Sequence, residues 1–156
     1  MTRGVLVAFA AFAVVAGAAS AASTVVPRHS QLAIRLKLPA LAYVPARVPG
    51  GFTYYRWATT TRPALRIWFR DKAQHEITFV ATHQTGPCAA GREKTFQLDG
   101  NKVYWSHTAN EQQAWRCVVG PNKRLVRLTA ATPLPPTRFA DTGIGRVAAS
   151  GLYIRR

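Results

Sequence analysis

The stretch ALRIWFRDKAQHEITFVATH, Ala64 to His83, decides how this chain is read. Successive side chains of a strand point to opposite faces. Its first half, taken as extended backbone, therefore puts Leu65, Ile67 and Phe69 on one side. Arg66, Trp68 and Arg70 fall on the other. The second half does the same, with Ile77, Phe79 and Ala81 together. Asp71–Gln74 between them is short enough for an antiparallel hairpin. Two neighbouring strands with one apolar face each predict a sheet that buries one side. The opposite side of the first strand carries two guanidiniums around an indole. That is a good surface for an anionic or planar ligand, or an ordinary solvated face.

The same reading extends in both directions. FTYYRWAT, Phe52 to Thr59, is aromatic and β-rich and leads in through Thr60–Pro63. Depending on register, it sets either Tyr55 and Trp57 or Tyr54 and Arg56 beside the arginines. TFQLDGNKVYWSH, Thr95 to His107, reads as a hairpin turning at Gly100-Asn101, since both residues tolerate positive φ. That turn pairs Asp99 with Lys102, Leu98 with Val103 and Phe96 with Trp105, and Trp105 is expected in the core. AWRCVV follows, with Trp115, Cys117 and Val119 on one side, and NKRLVRLTAAT comes after a Gly120-Pro121 turn. TPLPP breaks the pattern. Asp141 to Gly151 then has the makings of a short helix, with Asp141 as N-cap, Ile144, Val147 and Ala148 as the apolar stripe, and Gly151 just past its end. Gly143 and Gly145 weaken that helix by about 1 kcal/mol each relative to Ala, so it needs a sheet to pack on.

Upstream, residues 22–50 read as a proline-rich lead-in. Within it QLAIRLKL alternates Leu32, Ile34, Leu36 and Leu38 with Ala33, Arg35 and Lys37, which suits a first strand or the start of a short helix, a half-buried strand being the favoured reading. Residues 51–156 form a single β-rich domain. The expected fold is mainly β (α+β): a twisted antiparallel sheet of six to eight strands, mostly a meander, with one short C-terminal helix. A β-sandwich or a small open barrel is the alternative.

The N-terminus has the order of a secretory signal peptide. Arg3 is followed by the uncharged apolar run Gly4 to Gly17 and then by AASAAS. Residues 1–21 are assigned to the signal, with cleavage between Ala21 and Ala22 or one residue later. An uncleaved membrane anchor is the alternative. The rest, about 135 residues, is enough for one domain with its own core. The chain has 21 Lys and Arg against 6 Asp and Glu, a formal charge of +15 at pH 7. Such a charge attracts polyanions, whether acidic envelope polymers, anionic membrane surfaces or nucleic acid, the last being the weaker expectation. Two cysteines in an exported chain are expected to pair as Cys88–Cys117. A nucleophilic Cys88 assisted by His83 is the competing reading.

Catalytic chemistry finds little support. Six acids offer no convincing hydrolytic pair, and Asp71, Asp99 and Asp141 have evident turn or cap roles. His107 and Glu111 have metal-friendly spacing only on a helix, and the segment reads as strand end and loop. His75 and His83 fall near opposite ends of one strand. There is no phosphate-binding glycine loop and no nucleophile elbow. No cofactor and no metal are expected. Arg66, Trp68 and Arg70 remain the candidate ligand-binding residues. Arginine with aromatics on an open sheet face suits single-stranded nucleic acid or acidic glycans. Yet a lone Trp on a strand is usually buried, so Trp68 is expected under the N-terminal strand or the C-terminal helix, with the arginines at the rim.

Pro49-Gly50-Gly51-Phe52-Thr53-Tyr54, the pair LRIWFRD and EITFVATH, and the close from Asp141 to Leu152 resemble a group of uncharacterised extracytoplasmic β-domains of bacterial exported proteins. Some of these are carried by anti-sigma-factor-type membrane proteins. The resemblance covers residues 38–152 and departs in charge and in the glycine-broken helix. It implies a non-enzymatic envelope module with no catalytic residues to transfer. The expected function is therefore an exported domain that binds an anionic surface or another envelope protein. Two alternatives stand beside it. One is a secreted hydrolase with a site assembled in space from His83, His107 and Glu111. The other is a structural or inhibitory partner-binding domain.

Overall fold

A computed structural model describes residues 25–155. The signal segment 1–21 and its cleavage site at Ala21 and Ala22 lie outside the described residues. Helix α1 spans Arg28–Lys37 and is followed by a 3-10 turn, Pro39–Leu41, and strand β1, Tyr43–Pro45. Seven strands follow: β2 Thr53–Thr59, β3 Ala64–Arg70, β4 Glu76–His83, β5 Lys94–Leu98, β6 Asn101–His107, β7 Gln112–Val119 and β8 Leu125–Thr132. The chain closes with α2, Asp141–Ala149, and β9, Gly151–Tyr153.

The main sheet is antiparallel throughout and runs in the order β2-β3-β4-β8-β7-β6-β5. It consists of two meanders, β2-β3-β4 and β5 through β8, joined where β8 docks beside β4. A second, two-stranded sheet pairs β1 with β9. The main sheet stays open, neither a barrel nor one half of a β-sandwich.

One face of the sheet carries the core. Leu65, Ile67, Phe69, Ile77, Phe79, Ala81, Val126, Leu128 and Ala130 alternate inward and are buried. Against them pack Ile34 of α1, Val44 of β1, and Ile144, Val147 and Ala148 of α2. Parity therefore works as read from β3 and β4. α2 lies against β5 to β8. Its glycines are what permit the approach: a Cβ on Gly145 would stand 2.8 Å from Leu98 Cδ1. Gly151 belongs to β9 rather than ending the helix in a left-handed turn. A Cβ there would stand 2.7 Å from Leu128 Cδ1 and 3.1 Å from Phe79 Cζ.

Arg116 of β7 points into this inner layer. Its guanidinium donates to Ala148 O at 3.2 Å, Gly151 O at 2.7 Å and Asn101 Oδ1 at 2.6 Å. Burial lowers its pKa, and the nearby Tyr43 hydroxyl pulls it back up. Gln112, wholly buried, donates to Leu134 O at 3.0 Å and Phe139 O at 2.8 Å. It also accepts from Trp105 Nε1 at 3.1 Å. The proline-rich loop is thus tied to the sheet, and Trp105 packs partly buried against the core.

Three local expectations are corrected. QLAIRLKL is helical, not a strand. Burial follows Ser30, Gln31 and Ile34, three and four apart, while Leu32 and Leu36 are 52% and 86% exposed. Good helix formers, with Pro27 just before the helix and Pro39 just after it, favour the helix over the alternation. Gln31 Nε2 secures its start by donating to Val26 O at 2.7 Å. The β5–β6 hairpin turns at Asp99-Gly100, both at positive φ, and pairs Leu98 with Asn101 and Phe96 with Val103. That is a primed turn with an Asp-Gly centre, the strongest two-residue hairpin signal. The shift is two residues, so Phe96, Leu98, Val103 and Trp105 keep the expected face. Finally, Ala140 is the α2 N-cap, with no side-chain cap, and Asp141 begins the helix.

Asp141 instead pairs with Lys94 at 2.6 Å, linking β5 to α2. The hydrogen bond from Lys94 holds its carboxyl below the ordinary 3.8. A carboxyl lowered in the folded state stabilises above its unfolded pKa and loses that contribution as pH falls through the folded value. Lys94 is largely exposed, so the pair contributes about 0.5 kcal/mol. We expect Asp141→Asn to unfold slightly earlier than wild type in urea at neutral pH, with the gap closing once the pH falls below the range of ordinary carboxylates. Arg116→Leu should have a much larger effect. Each buried carbonyl left without its donor costs about 1–3 kcal/mol. Urea unfolding of that variant should show a reduced midpoint with a similar slope, and an unchanged midpoint would refute the role given to Arg116.

Candidate anion-binding face

The other side of the main sheet has no helix or second sheet over it among the described residues. Trp68 lies on this outer face, half-buried, and not under α1 or α2. The burial expected for it fails because both helices and the β1–β9 ribbon are spent on the inner face.

A β-bulge arranges its neighbours. The register between β2 and β3 shifts between Tyr54 and Arg56. Tyr54 turns inward, edge-on to Phe69 at 6.4 Å, its hydroxyl 3.1 Å from Ser30 Oγ. Tyr55, the extra residue, is exposed, and Arg56 falls opposite Trp68. Bulges re-aim side chains in this way. The result is a ladder of stacked cations and rings. The Arg56 guanidinium carbon lies 4.7 Å from the Trp68 centroid and 5.6 Å from that of Tyr55. That of Arg70 lies 3.9 Å from Tyr55, and its Nη2 pairs with Glu76 Oε2 at 3.0 Å.

Arg66 behaves differently from its two companions. It is exposed, with no carboxylate in salt-bridge range, and stands between Ala58 and Val80 on the flanking strands. It lines a hollow of about 600 Å³ that crosses β3, β4, β8 and β7. Thr78, Val80, Thr82, Thr129 and Ala131 form the floor, and Gln84, Glu111, Gln113 and Arg127 complete the wall. Arg127 stacks on Trp115 at 4.3 Å. Burial lowers its pKa, and the charge of Glu93 partly restores it.

The disulfide predicted from the two cysteines is formed, Cys88 to Cys117. It pins the loop after β4 over β6 and β7, where Trp115 Nε1 donates to Cys88 O at 2.8 Å. Trp115 is thereby covered although it lies on the outer face. Glu93 folds the same loop by accepting from the backbone N–H groups of Ala90, Gly91 and Arg92. Hydrogen bonding from Ala90 first, and then from the neighbouring amides, outweighs burial and lowers its pKa. A smaller hollow of about 380 Å³ opens beneath the loop and shares Gln113 and Arg127 with the larger one.

The hydrolase constellation does not assemble. His83 pairs with Val126 at one end of β8, whereas His107 pairs with Gln112, which pairs with Thr132 at the other. Six residues of strand separate those levels, about 20 Å. Glu111 faces the outer hollow, while His83 continues the inward parity of β4 with a buried Nδ1 that has no hydrogen-bond partner. Cys88 is in the disulfide and has no thiol to offer. His75 Nδ1 meets Asp71 Oδ2 at 2.8 Å within the β3–β4 turn. No group of three His, Cys, Asp or Glu suited to a metal ion occurs among the described residues.

Of the sequence candidates, Arg66, Trp68 and Arg70 share one open face, as strand parity requires. Tyr55 and Arg56 join them through a bulge that no residue pattern announced. Arg127 was in reach of the same parity argument, since it alternates with the inward Val126 and Leu128. Its place beside Arg66 required knowing that β8 pairs with β4. No protein family, curated protein or solved structure matches this chain in comparison.

Closing the Cys88–Cys117 loop stabilises by about 3–4 kcal/mol on the loop-entropy estimate. A Cys88→Ser, Cys117→Ser double variant should therefore melt well below wild type. Its tryptophan emission should also shift red in the folded state as Trp115 loses its cover. Retention of both native properties would contradict the placement of the loop over Trp115.

Proposed function

We propose that this chain is an exported envelope domain that binds an anionic component of the envelope through the open face of its main sheet. One observation carries the reading. Four guanidiniums, of Arg56, Arg66, Arg70 and Arg127, lie on the sheet face that neither helix nor second sheet covers among the described residues, and of the nearby carboxylates Glu76 is already taken by Arg70. Guanidiniums fork carboxylate and phosphate groups and lose less hydration than ammonium groups in doing so. The net charge of +15, of which only that of Arg3 leaves with the signal, favours the encounter over long range.

Export is part of the proposal, with the signal cleaved after Ala21 or one residue later. The disulfide and the lack, among the described residues, of a helix able to cross a membrane are compatible with it. The resemblance to extracytoplasmic bacterial β-domains points the same way. Binding without catalysis is the working reading, since the titratable groups that a hydrolase would use stand far apart. A second reading, capture of another envelope protein, draws on Leu32 and Leu36, adjacent on one exposed stripe of α1.

Co-sedimentation of residues 22–156 with isolated envelopes, at low and high salt, tests both. Arg66→Ala, Arg70→Ala should abolish binding that wild type retains at high salt. Binding that fades with salt equally in both proteins would reduce the face to non-specific charge. Loss confined to a Leu32→Ser, Leu36→Ser variant would replace the sheet face with α1.

A further inference from the structure

The three outer-face residues that first draw attention on β3 are not equivalent. Arg70 is engaged twice, by Tyr55 and by Glu76, and Trp68 is occupied by Arg56. Arg66 alone keeps a guanidinium with no carboxylate or ring against it. Arg127 likewise has no carboxylate within ion-pair distance and is held in place by stacking on Trp115. Both line the same hollow of about 600 Å³. Arg66 stands level with Val80, and Arg127 level with Thr82 two residues along β4. Two strand spacings and two residues of rise separate their Cα atoms by about 12 Å.

The floor between them is neither charged nor aromatic. Thr78, Thr82 and Thr129 present hydroxyls, Val80 and Ala131 give a flat apolar surface, and at the edge Gln84 and Gln113 add amides and Glu111 the hollow's one carboxylate. Beyond Arg127 the surface continues into the hollow beneath the disulfide loop, lined by Ser106, Glu93 and the covered Trp115. From β3 to β6 the two hollows run across five strands, a length of about 19 Å. Such a length fits several units of a chain better than one small molecule.

The geometry points to a cross-strand track for an acidic oligosaccharide, entering at Arg66, crossing β4 and β8 to Arg127, and continuing under the Cys88–Cys117 loop. This rests on the anionic-face reading above and names its ligand. Arg66 and Arg127 take the oxyanions of successive acidic units. The threonine hydroxyls and glutamine amides, able to donate and accept, match sugar hydroxyls. Single-stranded nucleic acid fits less well, because it is held by bases stacking on aromatic rings. Tyr55, Trp68 and Trp115 each already carry a guanidinium on the ring. The ladder of Arg56, Tyr55, Trp68, Arg70 and Glu76 then stiffens the edge of the sheet beside the track and touches no ligand.

The test is titration of residues 22–156 with four probes of matched length: oligogalacturonate, oligo(glycerol phosphate), a neutral malto-oligosaccharide and oligo-dT. Backbone amide NMR would locate the contacts. We expect oligogalacturonate to bind, and the affinity of oligo(glycerol phosphate), an acidic polyol without sugar rings, relative to it separates recognition of the sugar from recognition of the oxyanion alone. Shifts should run from Arg66 through Thr82 and Thr129 to Gln113. Arg66→Gln should weaken binding about tenfold or more, the loss of one charge-assisted contact. Arg66 is exposed, so this variant keeps the fold. Arg70→Ala should leave affinity within about twofold, as expected of a residue outside the track. Three results overturn the track: unchanged affinity in Arg66→Gln, oligo-dT binding as tightly as the glycans, or shifts confined to the β2 edge. Envelope binding that depends on Arg66 and Arg70, with no affinity for oligogalacturonate, overturns the track and leaves the anionic face standing. Absence of binding to envelopes and to glycans alike removes both.

Discussion

The guanidinium of Arg116 is the contact on which the rest of the molecule depends. It sits on the inner face of β7 with no carboxylate beside it. The Ala148 carbonyl near the end of α2, the first carbonyl of β9 and the side chain of Asn101 satisfy it instead. Helix C-termini end in unpaired carbonyls with partial negative charge, and a cation there satisfies both the hydrogen bonds and the dipole. One side chain therefore fixes where α2 stops, where β9 begins and how both meet the β5–β6 turn. Gly145 and Gly151 complete the arrangement by letting backbone approach Leu98, Leu128 and Phe79 at distances a Cβ would forbid.

That closure makes the molecule one-sided. α1, the β1–β9 ribbon and α2 are all spent on a single face of the sheet. The opposite face is left with polar and charged side chains and one loop held down by the disulfide. Arginine consequently plays opposite roles on the two sides. Inside, Arg116 is surrounded by carbonyl oxygens and holds elements together. Outside, Arg56 and Arg70 lie against aromatic rings, while Arg66 faces open space beside a hydroxyl-lined hollow. A chain with 21 basic residues and 6 acidic ones cannot pair its cations internally. Arg66, exposed and without an ion-pair partner, is one of the cations this fold leaves on the outer face.

Much of this was legible from residues alone. The alternation in ALRIWFRD and EITFVATH assigned inner and outer faces correctly, because a strand with one wet face has no other way to bury its apolar side chains. The helix stripe of Ile144, Val147 and Ala148 was legible for the same reason at a different period. Other segments misled. QLAIRLKL alternates like a strand but folds as α1 with Leu32 and Leu36 exposed, since its flanking prolines and helix-forming composition outweigh its pattern. The β5–β6 turn lies one residue earlier than expected, which moves each cross-strand partner by two, and the facing survives because a shift of two preserves the parity of a strand.

The sequence by itself determined the element types of the sheet, the face each strand side chain takes, the disulfide partner and the excess of positive charge. These follow from local periodicity, from a count of two cysteines and from a count of charges. Tertiary structure alone decided that Trp68 would stay outside, that the Tyr55 bulge would set Arg56 against it, and that Arg127 would share a hollow with Arg66. Each of these depends on which strands become neighbours and which face the helices choose to cover. Such choices come from the packing of apolar surfaces far apart in the chain, such as Ile34 of α1 and Ile144 of α2 joining one core with Phe79, and no local pattern records them.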